Sequence, residues 1–374
     1  MRFAHQRLFL TGWWHAAALR AAAGFCLTFI FAAVSAAASF PPPAANDFII
    51  TNFQFCCGQA LPEVRMHYLT FGRAERDRSG VVRNAVLILH GTTGSSSQFL
   101  GAQFAGELFG AGQPLDVTRY YVIIPDGLGH GKSSKPSDGL RAKFPNYGYR
   151  DMIDAQYWLL TEGLGVNHLR LVLGTSMGGM HTWLWGEVHP DFMDALMPLA
   201  SLPTQISGRN RVWRRMIMDS IRNSPDWQHG DYPAQPSGLR VAAETLYFMG
   251  ENPVLRLAEA PTVKQADEAL DHYVTNAITK LDANDVLYAL AASTDYDPAP
   301  ELEKIQAPLL AINSADDLIN PPELCVLERA IKRVKHGRFV VIPLSDQTVG
   351  HGSHTKAVLW KKELSEFLRQ TEKH

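Results

Sequence analysis

Leu169-Arg170-Leu171-Val172-Leu173-Gly174-Thr175-Ser176-Met177-Gly178-Gly179-Met180 is an apolar run that breaks into small residues around a serine and then resumes as a helical pattern to His189. A nearly all-apolar run of this length is a strand covered on both faces. The glycines at 174, 178 and 179 fit a strand-to-helix turn so sharp that side chains beside the serine would strike neighbouring backbone. Such a turn lifts a serine hydroxyl above the end of a sheet, so Ser176 is the candidate nucleophile. An incidental serine in a Gly-rich turn is the plain alternative, and the strand before it and helix after it weigh against that.

Working outward, similar β-branched runs recur at Asp47–Phe55, Val64–Phe71, Ala85–Leu89, Tyr120–Ile124, Met193–Leu199, Leu309–Asn313 and Phe339–Leu344. Helical patterns such as Asp151–Leu164 and Pro322–Val334 separate most of them. This alternation predicts a mostly parallel eight-stranded sheet with helices on both faces. Between Thr204 and Ala277 strand runs are lacking and Trp213, Trp227 and Tyr247 stand in helical surroundings, which predicts an inserted helical cap over the carboxyl ends of the strands, where open α/β sheets bind ligands. The expected division is a leader over 1–38, core over 39–203, cap over 204–277 and core again over 278–374.

The leader reading rests on Arg2, Arg7 and Arg20 without any acid, an apolar run from Ala21 to Val34, and small residues from Ser35 to Ser39. That is the layout of a secretory signal cleaved after Ala36 or Ala38, and it predicts an exported protein, periplasmic or secreted, without stable membrane association afterwards. An uncleaved anchor is the alternative, but His15 and Arg20 interrupt the apolar stretch. With the signal removed, Cys56, Cys57 and Cys325 form no disulfide framework; two buried or half-buried thiols are expected at 56 and 57 rather than a strained vicinal disulfide. The pair His351 and His354 has no cysteine or carboxylate at ligand spacing, so no metal and no cofactor are expected. A formal net charge of −2 over 374 residues and the lack of a basic stripe exclude nucleic acid as a partner. A small-molecule acyl substrate is expected, and a homodimer is compatible with the sequence.

A serine needs a base to take its proton and an acid to orient that base, in the chain order Ser, acid, His for this kind of turn. Asp316 and Asp317 follow the strand Leu309–Asn313, and Asp317 is favoured by its spacing from Pro321. After the last strand, Gly350-His351-Gly352 frees His351 to bend toward the serine, whereas His354 is expected at the start of the final helix. The oxyanion calls for two backbone donors, the N–H groups of Met177 and of Thr92 in His90-Gly91-Thr92-Thr93-Gly94. Gly131-Lys132-Ser133 resembles part of a phosphate loop, but Asp126 occupies the place of its first glycine.

Arg150-Asp151-Met152-Ile153-Asp154-Ala155-Gln156, Leu164-Gly165-Val166, Ser176-Met177-Gly178-Gly179-Met180, Asp116-Val117-Thr118-Arg119-Tyr120-Tyr121-Val122-Ile123 and Leu281-Asp282-Ala283-Asn284 together resemble the homoserine O-acetyltransferase branch of the α/β-hydrolases. The resemblance spans roughly Val64 to Leu368. It implies the α/β-hydrolase fold, Ser176, Asp317 and His351 as catalytic residues, and Arg214 as the group that holds a substrate carboxylate. Two features depart from the branch: Gly352 stands where the acetyltransferases carry an aspartate that receives the substrate amine, and Pro125 to Ser133 looks like the loop of ordinary hydrolases. A site without a partner for a buried ammonium binds it at a cost of several kcal/mol, and acetyl-coenzyme A is a cytoplasmic donor. The expected activity is therefore hydrolysis of a small ester or related acyl bond through an acyl-enzyme on Ser176. Acyl transfer to a hydroxyl acceptor is the alternative, and a non-catalytic binding protein on the same scaffold is the alternative of another class.

Overall fold

The computed structural model describes residues 40–372; the leader expected over 1–38 lies outside them. One sheet holds eight strands: β1 (Ala44–Gln54), β2 (Ala60–Phe71), β3 (Ala85–Leu89), β4 (Tyr121–Pro125), β5 (Leu171–Thr175), β6 (Leu196–Leu199), β7 (Leu309–Ser314) and β8 (Gly337–Ile342). Their order is β1-β2-β4-β3-β5-β6-β7-β8. The pairings β1–β2 and β2–β4 are antiparallel, and every other pairing is parallel.

Alternate residues of the central strands feed two cores. Val86, Ile88, Leu171, Leu173, Leu310 and Ile312 pack with Phe99, Phe104, Trp360 and Phe367 on one face. Leu87, Leu89, Val172, Leu309 and Ala311 pack with Ile153, Trp183 and Trp185 on the other. Burial on both faces is why these strands read as unbroken apolar runs.

Two strands start later than their apolar runs. Leu169 and Met193 form only an isolated bridge, and the polar side chains beside them are held outside the sheet. Arg170 donates to the Leu368 carbonyl at 2.6 Å, and Asp194 meets His168 at 3.0 Å. The helix expected from Asp151 is α1 (Tyr149–Trp158), closing in a wider turn over Leu159–Gly163. The one expected over Pro322–Val334 is instead three short turns, broken where Cys325 adopts φ 51°, a left-handed conformation that a helix interior cannot hold.

After β5 comes α2 (Met177–Val188), and between β6 and β7 lie α3 (Gly208–Arg222), α4 (Gly238–Gly250), α5 (Pro253–Glu259), α6 (Val263–Ile278) and α7 (Ala283–Ala292). Trp213, Ile217 and Ile221 of α3 and Leu239 of α4 share an apolar cluster with Val286, Leu287 and Leu290 of α7. The helical block thus runs past 277 to Ala292, because Asp282 caps a fresh helix by accepting from the Asn284 and Asp285 N–H groups. The chain closes on α8 (Lys361–Gln370).

Cys56 and Cys57 sit at the tip of the β1–β2 hairpin, where Phe55 N–H donates to the Gln59 carbonyl at 2.9 Å. Both are free and exposed, as is Cys325, which corrects the expectation of buried thiols: a hairpin tip has no neighbouring layer to cover it.

Candidate active site

Ser176 stands between β5 and α2 at φ 55°, ψ −112°, a backbone conformation that a non-glycine residue keeps only where its surroundings impose it. The surroundings here are glycine-lined. A Cβ on Gly174 would strike the Gly178 carbonyl, and one on Gly178 would strike the Leu89 carbonyl. The Ser176 N–H donates to the Leu199 carbonyl at 2.9 Å and the Gly178 N–H to the His90 carbonyl at 2.9 Å, so both neighbouring strands pin the turn.

His351 Nε2 lies 2.8 Å from Ser176 Oγ, and its Nδ1 lies 2.9 Å from Asp317 Oδ2. The three residues come from loops 34 positions and 175 positions apart in sequence and form one hydrogen-bonded chain. Asp317 is buried. Burial alone pushes its carboxyl up, but the neighbouring His351 and the Asn320 donors outweigh that and hold it below the ordinary value. Its Oδ1 accepts from the Ile319 N–H at 2.8 Å and the Asn320 N–H at 3.1 Å, so the carboxylate is fixed while facing the imidazole.

Asp316 points elsewhere. Its Oδ2 accepts from the Gly350 N–H at 2.8 Å and from Asn252 Nδ2 at 2.6 Å, which ties the residue before His351 to the cap. His354 lies in a tight turn over Gly352–Thr355 rather than in the final helix, which begins at Lys361. Ser353 forces that turn, with its N–H on the Gly350 carbonyl and its hydroxyl accepting from the Val349 N–H at 2.9 Å. The His354 ring packs edge-on to His351 at 5.1 Å, and burial followed by the charge of His351 pushes its pKa down to about 3.

Met177 opens α2, so its N–H is one of the donors that have no intrahelical acceptor. Thr92 is the second residue of a turn closed by the Gly94 N–H on the Gly91 carbonyl at 2.9 Å, a position whose own N–H the turn leaves unused. Thr92 and Ser176 line the same cavity of about 610 Å³.

The cap supplies the opposite wall of that cavity with Trp213, Arg214, Leu246 and Tyr273, and Asp282, Asp285 and Val286 continue it. Arg214 is 2% exposed. Its Nε donates to Asn210 Oδ1 at 3.0 Å, its Nη1 to Ser293 Oγ at 3.3 Å, and its guanidinium lies 4.8 Å over the Trp213 ring. Among the described residues it makes no ion pair with a carboxylate. Burial pulls its pKa below the usual 12.5, yet a guanidinium stays charged in proteins, so a buried cation with only neutral partners faces the cavity.

The Gly131-Lys132-Ser133 segment has structural partners. Asp126 accepts from the Lys132 N–H at 2.7 Å and the Ser96 N–H at 2.6 Å, and Ser133 Oγ donates to the Asp126 carbonyl at 2.7 Å. A carboxylate stands where a phosphate loop needs bare backbone donors. Sequence reasoning missed the wall from Lys280 to Ala289, of which only Leu281 to Asn284 had drawn notice, because nothing in a helical pattern says which face turns to a cavity.

The chain matches the alpha/beta hydrolase fold family over residues 84–349. It is 30% identical over 287 residues to a probable acyltransferase of Methanothermobacter thermautotrophicus, covering 76% of this chain and 86% of that protein. It is also 30% identical over 305 residues to a homoserine O-acetyltransferase of Thermobifida fusca, covering 71% and 78%. In structure it is similar to an acetylester hydrolase from Corynebacterium glutamicum, with TM-score 0.76 at 20% identity over 87% of this chain and 96% of that one. The chain thus belongs to the alpha/beta hydrolase fold family, in the branch that includes the homoserine O-acetyltransferases.

Proposed function

We propose that the protein is a serine hydrolase that cleaves a small ester or related acyl bond through an acyl-enzyme on Ser176. The observation that carries this reading is the chain Ser176 Oγ to His351 Nε2 to Asp317, at 2.8 and 2.9 Å. Asp317 holds the proton on Nδ1, which leaves Nε2 with a lone pair directed at the serine hydroxyl. His351 takes the serine proton as Oγ attacks the carbonyl carbon and returns it to the leaving alkoxide as the tetrahedral intermediate collapses. The Thr92 and Met177 N–H groups hold the oxyanion. Water, deprotonated by the same imidazole, then attacks the acyl carbon and frees Ser176.

Arg214 adds a preference. A buried guanidinium without a carboxylate partner favours a substrate that brings one, since a desolvated charge is stabilised most by a fully paired opposite charge. The acyl chain or the leaving group is therefore expected to carry a carboxylate. Water is favoured as acceptor because Gly352 offers no carboxylate to a substrate amine.

A fluorophosphonate probe tests the nucleophile. Labelling is expected in the parent and lost in Ser176→Ala, and labelling that persists at another residue overturns the assignment. The names of the relatives favour one second reading, acyl transfer to a hydroxyl acceptor. Incubation with acetyl-coenzyme A and a panel of hydroxy amino acids separates the two, because release of free coenzyme A only in the presence of acceptor would establish transfer. The leader reading makes the protein an exported one, and N-terminal sequencing of protein recovered from its native host should begin at Ala37 or Ser39.

A further inference from the structure

His90 and His130 take no part in the proton transfers above, yet both end on the loop that carries Thr92. His90 Nε2 lies 2.8 Å from the Gly127 N–H. A backbone N–H can only donate, so Nε2 holds the lone pair and the proton is on Nδ1. That Nδ1–H meets the Gly91 carbonyl at 2.8 Å. The Gly91 carbonyl and the Thr92 N–H belong to one planar trans peptide and point in opposite directions. Holding the oxygen fixes where the hydrogen is aimed.

His130 acts on the next peptide. Its Nε2 lies 2.8 Å from the Thr92 carbonyl and its Nδ1 lies 3.0 Å from the Leu128 carbonyl. The two rings are 5.2 Å apart and almost fully buried, 2% and 6% exposed. Burial lowers the pKa of both, that of His130 to about 4 with the neighbouring His90 adding to the effect, so each is neutral near pH 7 and carries one ring proton; for His130, which has a carbonyl at either nitrogen, we assign that proton to Nε2, at the shorter contact. The main-chain carbonyl of His90 also accepts the Gly178 N–H at 2.9 Å, next to Met177.

We propose that His90 and His130 are positioning residues of the oxyanion site: the Nδ1–H of His90 on the Gly91 carbonyl and the Nε2–H of His130 on the Thr92 carbonyl lock the two peptides flanking Thr92 and aim its N–H at the developing oxyanion. This rests on the acyl-enzyme reading. Donation to a peptide carbonyl also polarises that peptide, which strengthens its own N–H as a donor.

The test uses amides as partial imidazoles. An asparagine amide reaches the place of Nδ1 and a glutamine amide that of Nε2. His90→Asn and His130→Gln therefore keep the donor that matters, and His90→Gln and His130→Asn lose it. The second-order rate of fluorophosphonate labelling at Ser176 reads the oxyanion site directly, because the phosphoryl oxygen occupies it as the bond forms. The donor-losing variants are expected to label roughly 10–100-fold more slowly, below the ~10²–10³ for removing a donor outright. The donor-keeping variants should stay within about 3-fold of the parent on the same scale. With p-nitrophenyl acetate the same losses should fall on kcat with KM unchanged, a split that general loosening of the fold does not produce.

Donor-losing variants that label at the parental rate overturn the proposal and leave the acyl-enzyme reading standing. A parent that is not labelled at Ser176 overturns both. Where a donor-losing variant does not fold, its donor-keeping counterpart still decides, since slow labelling of folded His90→Asn or His130→Gln overturns the proposal.

Discussion

Asp316 and Asp317 are neighbours whose carboxylates hold two adjacent residues of one loop: Asp317 Oδ2 meets His351 Nδ1 at 2.9 Å, while Asp316 Oδ2 accepts from the Gly350 N–H at 2.8 Å. One faces the ring of His351 and the other anchors the backbone that presents it. Asp317→Asn should therefore lower kcat by roughly 10⁴ by favouring the wrong tautomer. Asp316→Asn keeps an acceptor for Gly350 and should cost less than about 10-fold by comparison. Steady-state kinetics of the two variants on one ester check the contrast.

The depressed pKa of Asp317 makes it a source of acid lability. A carboxyl held below its ordinary value of 3.8 in the folded protein binds fewer protons there than in the unfolded chain. Its contribution to stability is complete above that value and is lost as pH falls through it toward the folded pKa. Denaturant midpoints of the parent should fall as pH drops below about 3.8, and Asp317→Asn should flatten the part of that fall due to this residue.

Glu187 on α2 predicts the opposite slope. Burial, then the nearby Glu301, pushes its pKa up from 4.5 to about 8, and its Oε1 has no hydrogen-bond partner among the described residues. The folded state therefore holds a proton that the unfolded chain has released, and stability falls as pH rises from about 4.5 through about 8. Glu187→Gln should raise Tm by about 2 °C or more at pH 8, with the gain shrinking toward pH 4. A gain that is constant with pH would contradict this account.

Arg214 should discriminate between acyl substrates by charge. Arg214→Met is expected to cut kcat/KM for a hemisuccinate ester by roughly 30-fold or more, and to leave that for the corresponding neutral ester within about 3-fold on the same scale. Paired kinetics on the two esters give the ratio; an unchanged ratio would remove Arg214 from the substrate site.

Gly352 is not required by its backbone. Its φ is not in the left-handed region, and a Cβ there would meet only Val349 Cγ2 at 3.4 Å. The glycine therefore reads as the lack of a carboxylate rather than as a turn residue. Gly352→Asp should let an amino alcohol such as homoserine compete with water for the acyl-enzyme, raising the ratio of O-acyl product to free acid by about 10-fold if a new ion pair contributes near 1.4 kcal/mol. Product analysis by mass spectrometry reads that ratio.

The sheet was legible because its central strands are buried on both faces and so appear as plain apolar runs, Ala85–Leu89 and Leu309–Ser314 among them. The turn at Ser176 was legible for a different reason: its glycines are demanded by close backbone approach. Other features were hidden. The helix expected over Pro322–Val334 fails at Cys325, whose left-handed φ has no sequence mark. Which of Asp316 and Asp317 faces His351 depends on side-chain direction at the end of β7, and spacing alone could only favour one. The inward face of Lys280 to Ala289 depends on how the cap docks, a tertiary property.

Asn252 carries a consequence for redesign. Its side-chain amide donates to Asp316 at 2.6 Å while its side-chain oxygen caps α5, so a residue of the cover helps hold the segment that bears His351. Cap exchange is the obvious route to a new substrate range in such a scaffold, but a grafted cap without an equivalent amide at this position would loosen the base as well as reshape the cavity. Loss of turnover in such a chimaera would then be a fault of alignment rather than of recognition, and restoring one asparagine is the repair to try first.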